Sequence, residues 1–530
     1  MSTESGVEKP DFVKGDASDV DLLSFHEQHA GRLVIDPEEA KVEFGEAVAS
    51  RLKLSQDGTI VLWPQPTDSA LDPQNWSDRR KALQLIIITL ASVVPDFDSG
   101  IGIASIFALA EQYDTNPGVI NNLTSNWSIF LIGWGGIFAV ILIRRYGRLP
   151  ILFWSQFLAM VLLLAATLAP DLRTFAAMRC LTGFFGTAPQ ITGLYVVTDM
   201  YPFHLQARKL AIWTFGFIVS PFLSPFAFGF LVARTSWRWA YGAGTIYGAL
   251  VCLLIIIFGE ETMYDRTLKP IPEPPTTGLR YRIETLFGIT GVYMARYRAS
   301  WYQAISSPFR VVWRPQLIGI LIFEGMLFGF GIGINVTNAV FLGTPKPFGF
   351  QFSPYTIAGL YGTPIVSRRR PGEIIGRYTN DWIMTISVRR NAGVFEAESR
   401  LWACYLAVPL YVCGFVVLGA ALQNHLSVGA LIMGWGIAEC ATVAVYAYCS
   451  DCFPKHQGEV SALVNLARVL GGFSVAYFQI PWALKHGALQ VYGVEAAVVA
   501  GLFLLVVPFL QLKGRDLRVR CINKILSAAE

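Results

Sequence analysis

The chain has 530 residues, of which 53% are hydrophobic and only 15% charged, with a formal net charge of +4 and a mean hydropathy of +0.45. Soluble domains carry roughly a quarter charged residues, so this composition excludes a single soluble domain, a nucleic-acid binder and a disulfide-stapled secreted module, and implies an integral membrane protein. Twelve spans of about 20 apolar residues would occupy about 240 positions and leave room for two tails and one large loop.

The first 80 residues are polar and punctuated by Pro and Gly, without an apolar core ahead of a small-residue cleavage site, so no cleavable signal is expected. The segment Leu71-Asp-Pro-Gln-Asn-Trp76 leads into Arg79-Arg80-Lys81, and the first apolar run begins at Ala82. Apolar windows predict spans near 82–110, 121–143, 150–168, 174–198, 209–232 and 239–258. A second set falls near 316–342, 353–375, 401–422, 427–449, 458–483 and 490–512. The expected organisation is an N-terminal tail (1–81), a six-helix bundle (82–258), a central loop (259–315), a second six-helix bundle (316–512) and a C-terminal tail (513–530).

Charges orient these spans. Arg144, Arg145, Arg148, Arg208, Lys209, Arg377, Arg389, Arg390, Lys455 and the tail cations Lys513, Arg515, Arg518 and Arg520 fall on one side of the expected membrane. The other side holds only Arg173, Arg234, Arg238, Lys346 and Lys485. The excess of Lys and Arg marks the cytoplasmic side, which places both termini and the central loop there. Cys449 and Cys452 form a C-x-x-C with no matching second pair, and the remaining cysteines are scattered through apolar runs, so no metal and no cofactor is expected. No phosphate-binding G-x-x-x-x-G-K-[ST] occurs, and the spans hold no histidine cluster, which argues against an ATP-driven pump and a membrane oxidase.

Short motifs then carry a family resemblance. Arg145-Tyr-Gly147-Arg148 between spans 2 and 3 resembles the D-R-x-G-R loop of the major facilitator superfamily, and Arg179-Cys-Leu-Thr-Gly183-Phe-Phe-Gly186 in span 4 resembles its R-x-x-x-G-x-x-G element. Span 5 carries Gly216, Ser220-Pro221, Ser224-Pro225 and Gly229, similar to the Gly/Pro motif of drug:proton antiporters; Gly259-Glu-Glu-Thr-Met-Tyr264 is similar to the exit from span 6 in fungal twelve-span members. Asn75-Trp76 and Trp237-Arg-Trp239 point the same way, and the resemblance covers residues 71–512. Three departures stand out: Arg144 occupies the position of the loop's usual Asp, Val140 that of its usual leading Gly, and Ser220 that of the Gly before the first Pro in span 5. The resemblance implies an all-α integral membrane protein, with twelve helices in two pseudo-symmetric six-helix bundles. It further implies a monomeric, non-enzymatic secondary transporter.

Charged side chains within a span cost at least about 2.5–3.5 kcal/mol, so they normally face a cavity or a partner. Asp96, Asp98 and Arg179 fall in the outer half of the first bundle. Asp96 and Arg179 lie at similar depth, and the resemblance implies that spans 1 and 4 both line the cavity, so an Asp96–Arg179 contact is expected. Glu324, Glu439 and Arg468 fall near mid-membrane in the second, with a Glu439–Arg468 pair as one reading. Asn335 and Asn338 are cavity candidates, because an amide facing lipid lacks partners. Span 8 contains Arg368-Arg369-Arg370-Pro371, which implies either an early end near Ser367 or an altered segment. The expected function is proton-coupled efflux of a drug-like compound, secondary metabolite or organic cation across the plasma membrane. A proton-coupled importer and a transport-impaired sensor of the same fold are the alternatives, and the expected partners are a small molecule, protons and the bilayer.

Overall fold

The computed structural model describes residues 32–55, 57–266, 276, 278–367, 373–391, 394–438, 444–453 and 456–526. Among them, nine helices are long and apolar enough to cross a membrane. Spans 1–3 comprise Asp78–Ala104, Pro117–Tyr146 and Leu149–Thr167, and spans 5–7 comprise Phe203–Val232, Trp237–Phe258 and Pro315–Gly343. Spans 9, 11 and 12 comprise Ala397–Gln423, Gln457–His486 and Ala488–Leu517. At the other three positions the described helices are shorter. Span 4 is Leu172–Gly186 and Ala188–Met200; Pro189, which lacks an N–H, sits in the first turn of the second piece, so the chain restarts its ladder at Thr187. Span 8 is Pro354–Leu360, Gly362–Ser367 and Glu373–Arg390, and span 10 is Val428–Ala438 and Ala444–Cys452. Arg368, Arg369, Arg370 and Pro371 lie outside the described residues.

Small residues draw the helices together, since van der Waals contact rather than water exclusion drives association in lipid. A Cβ at Gly329 of span 7 would lie 2.6 Å from the Cα of Gly471 in span 11, and one at Gly414 of span 9 would lie 2.3 Å from the Ala438 amide in span 10. Between spans 6 and 7 three short helices, Gly278–Phe287, Ile289–Met294 and Trp301–Val312, run beneath spans 2, 3 and 11. The last is amphipathic: Tyr302, Ile305, Phe309 and Trp313 are exposed along one side, while Ala304, Ser307, Pro308 and Val311 are buried.

The N-terminal tail is built into the same face, called the tail side below. Strand β1 (Arg32–Val34) pairs antiparallel with β2 (Val394–Glu396), which lies between spans 8 and 9. Asp72 anchors the tail's other end by a two-pronged bond from Arg266, at 2.7 and 3.1 Å. Burial alone would push the Asp72 carboxyl up, but the Arg266 guanidinium and the amides of Thr67 and Gln74 outweigh it and hold it below the usual carboxylate range. Because the folded value is the lower one, the anchor stabilises the fold above the ordinary carboxylate range and is lost as pH falls through the lowered value. A thermal melt of Asp72→Asn should therefore fall below wild type from about pH 5 to 8 and approach it in acid below about pH 4.

Candidate functional site

Span 5 places two prolines one turn apart, and each removes the N–H that would bond the carbonyl four residues earlier. The carbonyl freed by Pro221 is that of Phe217, and the Ser220 hydroxyl donates to it at 2.9 Å. The carbonyl freed by Pro225 is that of Pro221, and it accepts from the Asn335 side-chain amide of span 7 at 3.1 Å. Ser220 thus satisfies the carbonyl that Pro221 frees, and Asn335 joins the first half to the second. The Tyr361 hydroxyl of span 8 in turn donates to the Asn335 carbonyl at 2.7 Å.

Asn335 borders a cavity of about 50 Å³ between the two halves, shared with Asp96, Pro221, Phe222, Tyr411 and Arg468. There Asp96 Oδ2 accepts from Gln190 of span 4 at 2.9 Å and from Arg468 of span 11 at 3.3 Å. Arg468 also donates to Asn465 at 2.9 Å and lies over the Phe217 ring at 5.2 Å. Glu324 of span 7 is fully buried, neither carboxylate oxygen has a hydrogen-bond partner among the described residues, and Arg468 is the charged neighbour acting on it.

The expected Asp96–Arg179 contact is not formed. Arg179 is fully buried inside the first half, donating to the Ser99 carbonyl at 3.3 Å and lying 5.3 Å from the Tyr241 ring. Asp98 faces it from span 1, away from the cavity and toward Gly244 of span 6. Equal depth fixes height but not azimuth: residues two apart on a helix point about 200° apart, so Asp96 and Asp98 divide between the cavity and the bundle interior. Asn338 is buried but does not border the cavity. Glu439 lies outside the described residues.

On the tail side the halves are closed by Glu459 of span 11. It pairs with Arg144 of span 2, and accepts from Ser307 at 2.7 Å and from the Tyr195 hydroxyl at 3.0 Å. Arg144, which departs from the family's acidic residue, therefore supplies the cation of a bond between the halves. Beside it, Gly147 adopts φ +104°, and a Cβ there would lie 2.5 Å from Glu261 Oε2. Glu261 caps the start of span 3, accepting from the amides of Arg148 at 3.0 Å and Leu149 at 3.2 Å. Arg148 pairs with Asp199 of span 4, while Arg145 bonds the Ala299 carbonyl at 3.1 Å and stacks over Trp301 at 4.9 Å. A Gly147→Ala variant should lose about 1–3 kcal/mol from the positive-φ, extended-ψ backbone alone, read as reduced monodisperse yield and a lower Tm.

Gly183, Gly186 and Gly216 are packing positions: a Cβ would lie 2.7 Å from the Ser128 carbonyl, 3.3 Å from Ala159 and 2.8 Å from Thr89, respectively. A Cβ at Gly229 of span 5 would lie 2.6 Å from that of Ala358 in span 8, and there the Tyr355 hydroxyl donates to the Ala233 carbonyl at 3.3 Å. The halves therefore touch on both sides of the cavity. Sequence reasoning missed Gln190 and Glu459, and met Glu261 only as part of the motif after span 6. It also missed Glu495 of span 12, a buried carboxylate bonded by Gln479 at 3.1 Å to each oxygen.

Comparison with known proteins agrees with this architecture. An uncharacterised MFS-type transporter of Schizosaccharomyces pombe is 22% identical, with 89% of this chain and 90% of that protein covered. The efflux pump radE of Floropilus chiversii is 22% identical, with 86% of this chain and 84% of the pump covered. The solved peptide transporter POT with bound alafosfalin superposes with a TM-score of 0.56 at 14% identity, covering 84% of this chain and 98% of that one. Residues 88–476 match the family described as the Major Facilitator Superfamily. The chain belongs to that superfamily, an integral membrane transporter of the twelve-helix, two-bundle fold.

Proposed function

We propose that this protein is a monomeric, proton-coupled exporter of a small organic molecule, a drug-like compound, secondary metabolite or organic cation, at the plasma membrane, with its tail side cytoplasmic. The observation that carries the reading is the buried Asp96–Gln190–Arg468 cluster, which crosses between the halves beside a cavity. Burying a carboxylate charge without a partner is costly, so Glu324 carries a proton or draws on Arg468. Protonating Asp96 weakens its hold on Arg468, frees that cation for Glu324 and loosens the two halves. The Arg144–Glu459 pair would part when the inner side opens. Glu439 remains a second carboxylate candidate from its sequence position. The name of the related efflux pump radE supports the export direction, and the cation excess supports the orientation. The exposed aromatic side of Trp301–Val312 would lie in the inner membrane interface.

The test is uptake into inside-out vesicles with an acid lumen, using ethidium, tetraphenylphosphonium, spermidine and a neutral anthraquinone. Uptake that requires the acid lumen supports antiport. Accumulation along the proton flux would instead identify a symporter, and gradient-independent equilibration would overturn proton coupling.

A further inference from the structure

The N-terminal tail is tied to both halves across the tail-side mouth. Its β1 strand adds to β2 in the second half, with Leu33 opposite Phe395 and Val34 opposite Val394. Trp63, only 1% exposed, donates its indole N–H to the Val34 carbonyl at 2.8 Å, while its own carbonyl accepts from the Phe203 amide, the first residue of span 5 in the first half, at 2.8 Å. The Phe203 and Phe395 rings close the same junction at 4.9 Å. Thr67 then meets Tyr264 at 3.1 Å, and Asp72 is held by Arg266, so the tail is anchored beyond span 6 as well.

Beneath this crossing lies a chamber of about 460 Å³, bordered by Leu33, Trp63 and Pro64 of the tail and by Ile143, Arg144 and Asp451 of the two halves. The chamber sits directly beside the Arg144–Glu459 bond. A transporter that opens on this side must move Phe203 and Phe395 apart, and a single short segment bonded to both resists that movement. Ordinary tails are poorly ordered unless tied down, and this one is tied on both sides of the line along which the halves separate.

We propose that residues 32–63 form a strap across the tail-side mouth, one that must leave β2 before the chamber opens. The strap is an intramolecular occupant of the mouth, competing with cargo for access to the chamber. The inference rests on the two-sided transport reading, and its primary readout needs no substrate.

Ile143 is 1% exposed and borders the chamber, so a cysteine there reports opening. In full-length protein with the native cysteines replaced, Ile143→Cys on inside-out vesicles is treated with a membrane-impermeant maleimide. Trp63→Ala, which removes the indole bond to Val34 and the ring's packing, and Leu33→Pro, which removes a backbone N–H of β1, should each raise the labelling rate about tenfold, the shift expected when a bond or two that favour one of two states are lost. Unchanged labelling in both well-folded variants overturns the strap. In a second arm, Val34→Cys with Val394→Cys places two cysteines at paired strand positions, within disulfide reach. Oxidation should abolish ethidium uptake and reductant should restore it; full uptake by the cross-linked protein also overturns the strap. If no probe moves even in the reduced protein, the transport reading fails, while the labelling arm still decides the strap.

Discussion

Arg468→Ala is expected to abolish gradient-driven transport and to lower the amount of folded protein in the membrane. Arg468 is 5% exposed and is the cation that Asp96 and Glu324 share. Removing it leaves, among the described residues, Asp96 with Gln190 and Glu324 without a counter-charge. Breaking a buried ion pair from one side typically costs about 3–5 kcal/mol, because the remaining charge stays buried. That is a large fraction of a typical stability of about 5–15 kcal/mol. Arg468→Lys keeps the charge but replaces the guanidinium, whose Nη2 donates to both Asp96 and Asn465, with a compact ammonium on a different stem. It should recover much of the folded yield and only part of the flux. Surface abundance and uptake measured on the same vesicles separate the two effects.

Glu324→Gln should behave in the opposite way. The substitution conserves size and removes charge at a group whose oxygens bond nothing among the described residues, so no partner is orphaned. Folded protein should accumulate at wild-type levels, pH-driven flux should be lost, and energy-independent exchange should survive. Adding Glu439→Gln extends the test to the second carboxylate. Full gradient-driven transport by that double variant would remove both from the coupling scheme and leave Asp96 as the proton site.

The membrane architecture is legible in the amino-acid sequence because long apolar runs separated by one-sided cations have few outcomes in lipid, where every backbone group must be bonded within a helix. Asp96, Glu324 and Arg468 stand out because a charge in such a run is rare. Depth along a helix does not supply azimuth, and so it pairs Arg179 with Asp96 although Arg179 lies with Ser99 and Asp98. Glu459 escapes notice because a carboxylate near a helix end is ordinary. The clue is Arg144, an arginine where relatives carry an acid, which calls for an acid opposite. Asn335 reads as a cavity amide, but its bond to the Pro221 carbonyl depends on pairing a proline's orphan with another helix. Glu261 acts on backbone amides, and the three-residue strand β1 has no periodicity to detect.

The most direct measurement uses purified protein in liposomes with an acid lumen and a trapped pH dye. The account predicts that adding a transported cation outside raises the lumenal pH as the cation enters, and that Glu324→Gln abolishes this alkalinisation while still exchanging labelled for unlabelled cation. Cation accumulation against its gradient with no change in lumenal pH would contradict proton coupling. An alkalinisation undiminished in Glu324→Gln would contradict the assignment of that carboxylate.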